Sequence, residues 1–226
     1  MRSEVFEFNG YQACVAIPDN FNGKWIWKTE FFTAFDKAER ELFDKGYARV
    51  YYQISDKYGS YGAVRLMHNF YLRIVKEFGL DEKCILFGFS RGGLYAFDFA
   101  LFYPEVVEKI YFDAPVFDMR TWPPKNSVEL QQLFAEYSLN EQTLEFFTGH
   151  PVLNFKEFFS HKIPVLLIAG DDDEEVPFPL NAGKMISFCS ENNIKIEVII
   201  KKGAKHHPHS LEDVSPIIKF VEERNG

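Results

Sequence analysis

The stretch from Cys84 to Gly93 reads Cys-Ile-Leu-Phe-Gly-Phe-Ser-Arg-Gly-Gly. Its apolar beginning is typical of a buried parallel strand, and residues 94–103 after it have the pattern of a helix that ends before Pro104. Between them lies Gly-x-Ser-x-Gly, which by itself also occurs in ordinary loops. Here the glycines suit a sharp turn from strand to helix, with a serine hydroxyl exposed on it. The order of strand, turn and helix therefore predicts that Ser90 is a nucleophile.

Length and composition indicate one globular domain. The chain has 226 residues, of which 46% are hydrophobic and 26% charged, enough for a sizeable core. A net charge of −8 argues against a nucleic-acid or anionic membrane partner, because such partners reward clustered Lys and Arg. We therefore expect a single domain over residues 1–226 and no nucleic-acid or membrane partner. The composition leaves a homodimer open.

The cysteines and the N-terminus carry no sign of an extracellular framework. Three cysteines cannot all pair, and they lack metal-ligand spacing, so buried free thiols are expected. Residues 1–6 contain no hydrophobic signal core, and no apolar stretch approaches membrane-spanning length. These features predict a cytoplasmic protein.

Hydrophobic periodicity predicts alternating strands and helices. The Asn9-Gly10 turn favours a hairpin at the start of the chain. Further strands are predicted over 48–54, 83–87, 107–112, 164–169 and 194–200, and helices over 31–45, 64–78, 94–103, 180–191 and 211–224. Segment 22–28 is assigned to a loop. Such alternation predicts an α/β fold with a mostly parallel central sheet and helices on both faces.

One segment departs from this alternation. Residues 114–163 contain helical patterns and Trp122-Pro123-Pro124 but no predicted strand. Two interpretations stay open: a small cap over the carboxyl edge of the sheet, or a surface insertion that touches no substrate.

A serine nucleophile requires a base, and the base works best beside a buried acid. Carboxylates follow the strand over 164–169 in the run Gly170-Asp-Asp-Asp-Glu-Glu-Val-Pro177. Asp113, directly after the strand over 107–112, is a rival acid. Both positions lie where a parallel sheet presents its active groups.

Three of the six histidines, His206, His207 and His209, lie in the loop after the strand over 194–200. The loop therefore offers a base. We expect no metal there, because the side chains of adjacent histidines tend to diverge and no zinc-site motif accompanies them.

Taken together, these residues resemble the α/β-hydrolase superfamily, in particular small serine carboxylesterases and prolyl-oligopeptidase-like hydrolases. The resemblance covers almost the whole chain. Residues 170–177 look like the family's Gly-x-x-Asp-x-x-Val-Pro, which selects Asp173 as the acid. Residues 203–206 look like Gly-x-Gly-His, which selects His206 as the base. Lys205 replaces the second glycine, so His207 also stays a candidate.

The resemblance implies an oxyanion hole of two backbone N–H groups, assigned to Arg91 and, on the loop after an early strand, to Trp27. It also implies a Ser-His-Asp esterase that needs no cofactor and acts on a small-molecule ester. The aromatic residues Trp25, Tyr58 and Trp122, together with His207, are expected to contact a small acyl ester on a polar or sugar-like scaffold. A peptidase or amidase and a non-catalytic binding protein remain alternatives.

Overall fold

The computed structural model describes residues 1–223. Its chain begins with the expected hairpin, in which β1 (Arg2–Phe8) pairs antiparallel with β2 (Tyr11–Ile17). Phe8 lies opposite Tyr11, so the turn consists of Asn9 and Gly10 alone, with φ of 48° and 83°. Positive φ at both positions is what a two-residue hairpin turn requires, and Asn-Gly tolerates it best.

Six further strands complete an eight-stranded sheet of order β1-β2-β4-β3-β5-β6-β7-β8. They are β3 (Trp25–Lys28), β4 (Ala48–Tyr52), β5 (Cys84–Phe89), β6 (Val107–Asp113), β7 (Val165–Gly170) and β8 (Glu197–Lys201). β2 runs antiparallel to both neighbours, and every pair from β4 to β8 is parallel. The mostly parallel α/β sheet predicted from the sequence is confirmed.

The helices are α1 (Lys37–Asp44), α2 (Tyr61–Phe78), α3 (Gly92–Phe102), α4 (Val128–Tyr137), α5 (Glu141–Phe146), α6 (Phe155–Ser160), α7 (Ala182–Glu191) and α8 (Ser215–Glu222). None of the helices within residues 1–223 combines the length and hydropathy needed to cross a bilayer. Cys84 and Cys189 are buried free thiols, whereas Cys14 is only half-buried.

Helices cover both faces of the sheet, as two separate core clusters show. One cluster joins alternate strand residues such as Trp27 and Leu86 to α2, α3 and α7. The other joins the intervening residues, such as Ile26 and Ile85, to α1 and α8. Alternation along a strand sends successive side chains to opposite faces, so central strands buried on both faces are apolar throughout.

Two predictions at the front of the chain were wrong. Segment 22–28 is not all loop, because Trp25–Lys28 forms β3 between β4 and β5 in the middle of the sheet. Four residues are too few for a periodic signal, and tertiary pairing decides their conformation. The first helix begins at Lys37 rather than at Phe31, since Phe31 and Phe35 have φ of 57° and 53°. The last predicted helix extended to Arg224, which lies outside the described residues.

Residues 114–163 contain no strand within the described chain and carry α4, α5 and α6. α6 packs on α3, and α4 packs on a 3-10 turn at Ser55–Lys57. The Tyr58 hydroxyl donates to Gln132 of α4 at 2.7 Å, and the Tyr137 hydroxyl donates to the Tyr58 carbonyl at 2.9 Å. These bonds tie the segment to the loop before α2. Its role as a cap stays a prediction.

The order of the last four strands positions the site. β5, β6, β7 and β8 are neighbours and parallel, so their carboxyl ends lie along one edge of the sheet. Ser90 follows β5, Asp113 ends β6, Asp173 follows β7 and His206 follows β8. Open parallel sheets bind ligands outside the carboxyl ends of their strands, so a functional site is expected at this edge.

Candidate active site

Ser90 lies on a strained turn between β5 and α3. Its φ is 50°, in the left-handed region that non-glycine residues rarely occupy. A side chain on Gly88 would place its Cβ 2.9 Å from the Ala96 Cβ, and one on Gly93 would lie 2.6 Å from the Pro115 Cβ. The flanking glycines are therefore required by crowding. The strain holds the serine hydroxyl at the strand edge.

A continuous hydrogen-bond chain runs from this serine. The Ser90 Oγ lies 2.9 Å from the His206 Nε2, and the His206 Nδ1 lies 2.7 Å from the Asp173 Oδ2. The other oxygen of Asp173 accepts the backbone N–H groups of Glu175 at 3.0 Å and Val176 at 2.9 Å. All three functional side chains are buried. The nucleophile–base–acid order is the one required for serine activation.

The loops that carry the acid and the base are joined by two hydrogen bonds. The Asp171 carboxylate accepts the Gly203 N–H at 2.7 Å, and the Asp172 N–H donates to the Ala204 carbonyl at 3.1 Å. A Cβ on Gly170 would overlap that same carbonyl oxygen. Glycine at the end of β7 thus permits the close approach that brings Asp173 to the histidine loop.

A second histidine–aspartate pair lies beside the first. The His209 Nδ1 is 2.7 Å from the Asp113 Oδ1. The Asp113 Oδ2 accepts the Ser210 N–H at 2.9 Å and the Tyr111 hydroxyl at 2.5 Å. The Asp113 carbonyl in turn accepts the Ser90 N–H at 2.9 Å. Asp113, which the sequence offered as a rival triad acid, therefore links the histidine loop to the nucleophile turn.

The second pair has a defined charge state. Burial raises the pKa of Asp113, but its hydrogen bonds from His209 and Tyr111 and the nearby Lys201 charge outweigh burial, so this pKa lies below its ordinary value. Burial lowers the pKa of His209, and Asp113 only partly offsets this. The pair is therefore a neutral imidazole donating to a carboxylate. The His209 Nε2 is buried, with no hydrogen-bond partner among residues 1–223.

The three histidines do not diverge as expected. The ring centroids of His206, His207 and His209 lie 4.8 to 4.9 Å apart, with edge-to-face orientations. One nitrogen from each falls within 4.8 Å of the others, so this cluster is the part of the described chain that could hold a metal ion. Both nitrogens of His206 are already hydrogen-bonded to Ser90 and Asp173. His207 is exposed and stacks on Phe35.

The two predicted oxyanion donors lie in different surroundings. Arg91 is the residue before α3, at the N-terminus of that helix. Trp27 lies inside β3, opposite Leu86 of β5. Within a sheet, the backbone N–H and C=O groups of a strand form hydrogen bonds with the neighbouring strands. Thr29, the first residue after β3, donates its N–H to the Phe87 carbonyl at 3.0 Å. The assignment of Trp27 to a loop was therefore wrong, and the loop N–H groups begin beyond Thr29.

An ion pair between the half-buried Arg91 and the buried Glu30, which the sequence did not indicate, holds that loop. The Arg91 guanidinium donates twice to the Glu30 Oε2, at 3.1 and 3.2 Å, and the Ser55 hydroxyl donates to the same oxygen at 3.1 Å. Burial raises the pKa of Glu30, and the Arg91 charge opposes this rise. Arg91 also lies over the Phe31 ring. The loop after β3 is thereby fixed beside the nucleophile turn.

The predicted aromatic contacts are not brought together. Trp25 and Tyr58 are completely buried, and the Trp25 indole stacks on Trp27 and Tyr71 within the core. Neither lies on an exposed edge loop, so these two expectations are corrected. Trp122 is half-buried, with its ring 6.2 Å from that of Tyr58. His207 is the predicted contact residue that lies beside the hydrogen-bond chain.

The profile of the prolyl oligopeptidase family matches residues 44–224. Two peptidases and a carboxylesterase are among the solved structures that share the fold. A puromycin-hydrolyzing peptidase from Mycobacterium tuberculosis aligns at a TM-score of 0.71 and 13% identity, over 98% of this chain and 38% of its own. Dipeptidyl peptidase 4 from Porphyromonas gingivalis aligns at 0.66 and 13%, over 91% and 32%. A carboxylesterase from Lactobacillus plantarum aligns at 0.63 and 16%, over 92% and 85%.

The chain thus spans 38% and 32% of the length of the two peptidases, and 85% of the length of the carboxylesterase. A comparison with curated protein sequences gives no match.

Proposed function

Because the chain belongs to the prolyl oligopeptidase family, within the α/β-hydrolase superfamily of serine hydrolases, we propose that it cleaves a carboxylic ester through a covalent acyl-enzyme. The observation that carries the proposal is the chain of contacts from the Ser90 Oγ to the His206 Nε2 at 2.9 Å and from the His206 Nδ1 to Asp173 at 2.7 Å. This arrangement supplies a nucleophile, a general base and an orienting carboxylate without a cofactor.

In the first step, the Ser90 Oγ bonds to the acyl carbon while its proton moves to the His206 Nε2. The carbonyl oxygen becomes an oxyanion, and we assign its stabilisation to the Arg91 N–H and an N–H of the Glu30–Phe31 segment. Collapse then breaks the bond to the alcohol oxygen, which takes the proton from His206. A water molecule then attacks the acyl carbon while His206 takes its proton. The bond from the acyl carbon to the Ser90 Oγ breaks, His206 returns the proton to that oxygen, and the acid is released. Each preorganised oxyanion donor lowers the barrier by about 3 kcal/mol.

Asp173 acts on the base rather than on the substrate. Its contact with the His206 Nδ1 holds the ring in the tautomer that leaves Nε2 free to accept the serine proton. The backbone donors of Glu175 and Val176 fix the carboxylate in its turn. We therefore assign Asp173 the stabilisation of the imidazolium that forms during attack.

We propose a small acyl ester with a polar or sugar-like alcohol as the substrate. A surface recess of about 450 Å³ lies next to the histidine loop and is lined by Phe35 and His209 and by charged residues that include Asp36, Lys37 and Arg40. Its lining includes neither Ser90 nor His206, so we propose that it holds the alcohol part of the substrate rather than the reacting ester. Phe35 is 38% exposed, and its ring is stacked with that of His207. An exposed ring beside polar groups suits a polar scaffold. We therefore propose Phe35 as the aromatic residue that contacts the substrate, instead of the buried Trp25 and Tyr58.

A peptidase or amidase is the second candidate. It is favoured by the family match and by the two peptidases that share the fold. The ester is preferred because the carboxylesterase is the named neighbour whose length this chain largely covers. An alcohol is also a better leaving group than an amine, so cleavage of an ester demands less from His206.

The first experiment uses a fluorophosphonate probe, with intact mass as the readout. We expect one adduct on the wild type and none on Ser90→Ala or His206→Ala. If His206→Ala kept the adduct and a His207→Ala control lost it, His207 would be the general base instead of His206. Absence of an adduct on folded wild type would support a non-catalytic binding protein.

A second assay separates ester from amide. The wild type is compared on 4-nitrophenyl acetate, on acetylated sugars, and on 4-nitroanilides of amino acids and dipeptides. We expect kcat/KM to be higher for the esters than for the anilides. The ratio of the two values should exceed the ratio of their uncatalysed hydrolysis rates. A preference for the anilides would establish the peptidase.

A further inference from the structure

Asp98 is a buried acid that the proposed reaction does not use. It lies in the middle of α3, eight positions after Ser90, and is 8% exposed. Burial alone raises the pKa of Asp98 well above its ordinary value, with no contribution from a cation or a hydrogen-bond donor within residues 1–223. Burial penalises the charged form of an unpartnered acid, so a cation that binds beside Asp98 would offset this penalty and favour the ionised carboxylate.

This carboxyl group lines a pocket on the flank of the molecule. The pocket has a volume of about 400 Å³ and lies between α3, the start of α2 and the 147–157 segment. That volume is in the range of small-molecule sites. Lys, Arg and His are missing from its lining residues, and Glu157 adds a second carboxylate. The lining therefore carries two acidic side chains and no basic one.

Aromatic rings line the same pocket in two pairs. Tyr61 and Phe102 meet edge-to-face with centroids 5.7 Å apart, and Tyr137 and Phe147 do so at 5.3 Å. Tyr61 and Phe102 are exposed at 63% and 52%, although large rings favour burial. Aromatic faces attract cations, and a carboxylate among several rings is the chemistry that recognises an organic ammonium group.

We propose that this pocket is a second ligand site, which binds an organic ammonium ion through the Asp98 carboxylate and the surrounding rings. The ammonium donates to Asp98, and the apolar part of the ligand lies against Tyr137 and Phe147. Glu157 at the exposed side adds attraction. The site is separate from the Ser90 hydroxyl, because Asp98 lies about 9 Å along α3 from its first residue, Gly92.

The test compares phenethylammonium with its neutral analogue 2-phenylethanol, using ligand-observed NMR titrations of the whole chain. Asp98→Asn keeps the shape of the side chain and removes the charge, and it relieves a buried acid, so folding should be retained. We expect the phenethylammonium Kd to rise about tenfold or more in Asp98→Asn and less in Glu157→Gln. The Kd of 2-phenylethanol should be weak and the same in all variants.

Two controls make the result decisive. Glu191→Gln removes a carboxylate at the end of α7, outside the lining residues, and should leave the Kd unchanged. Ser90→Ala should also bind normally, which separates this site from the proposed catalytic one. The proposal is overturned if wild type shows no binding of phenethylammonium, if Asp98→Asn binds it as tightly as wild type, or if the alcohol binds as tightly as the amine.

Discussion

Two histidine–aspartate pairs, His206–Asp173 and His209–Asp113, lie side by side with nearly the same internal geometry. In each, the Nδ1 lies 2.7 Å from a carboxylate oxygen, and in each the side chains are at most 4% exposed. The difference is at the opposite nitrogen. The His206 Nε2 meets Ser90 at 2.9 Å, whereas the His209 Nε2 has no partner in the described chain.

The partners of the two carboxylates differ as well. Asp173 accepts backbone N–H groups from its own loop, at Glu175 and Val176. Asp113 accepts from Tyr111 of its own strand and from Ser210, which lies 97 positions further along the chain. We infer that the first pair serves proton transfer and the second fixes the histidine loop. On this inference, what the second nitrogen contacts decides whether a histidine–aspartate pair is reactive or structural.

The sharpest test replaces each histidine with asparagine. The Asn amide can still donate to the carboxylate in place of Nδ1, but it offers nothing in place of Nε2. We expect His206→Asn to lower kcat/KM by a factor on the order of 10⁵. His209→Asn should stay within about tenfold of wild type. Steady-state kinetics on the best ester measure both, and equal losses would remove the distinction between the pairs.

Replacement of Asp173 and of Asp113 with asparagine should give the next largest difference in activity between the two pairs. Asp173→Asn should lower kcat by about 10⁴-fold, because His206 is no longer held in the useful tautomer. Asp113→Asn should lower kcat by about tenfold at most, since Asp113 touches neither Ser90 Oγ nor His206 in the hydrogen-bond chain. The opposite ranking would identify Asp113 as the triad acid that the sequence also allowed.

Asp113 should matter more for stability than for activity. Asp113→Ala leaves the donors of His209, Ser210 and Tyr111 without their acceptor in a fully buried place. We expect the free energy of unfolding to fall by about 3 kcal/mol. Urea unfolding measures it, and Asp81→Ala, at an exposed position, is the control that should change little. A near-zero effect of Asp113→Ala would show that the second pair does not hold the loop.

The smallest expected effect is in the pH dependence of stability. The His209 pKa is depressed below its ordinary value of 6.5, so the unfolded chain binds a proton more readily than the folded one. Stability from this group is present above pH 6.5 and is lost as pH falls toward the folded pKa. Between about pH 7 and about pH 5, wild type should therefore lose more unfolding free energy than His209→Asn. If the plots of unfolding free energy against pH were parallel for wild type and His209→Asn, this prediction would be contradicted.

Most of the fold could be predicted from local pattern, but one central strand could not. Long periodic helices such as α2 and apolar strands such as β5 and β7 are evident because their burial repeats along the chain. β3 was missed because its four residues carry no period. Its neighbours β4 and β5, which are distant in sequence, make Trp25–Lys28 a strand.

The candidate site divides in the same way. Ser90 was identified from its turn glycines, and Asp173 and His206 were singled out by the motifs around them. The pairing of His209 with Asp113 and the Arg91–Glu30 contact had no signal, because their partners are 96 and 61 positions apart. Trp25 and Trp27 were misplaced because residue type cannot separate a core tryptophan from a surface one.

By itself, the sequence determined the alternation of strands and helices, the strained serine turn and the order of serine, acid and histidine. These depend on local sterics and periodicity, which neighbouring residues specify. The tertiary structure alone decided which nitrogen faces Ser90, which carboxylate holds which histidine, and where Asp98 lies without a partner. Such contacts depend on how four parallel strands align their ends, and that alignment is a property of the packed sheet.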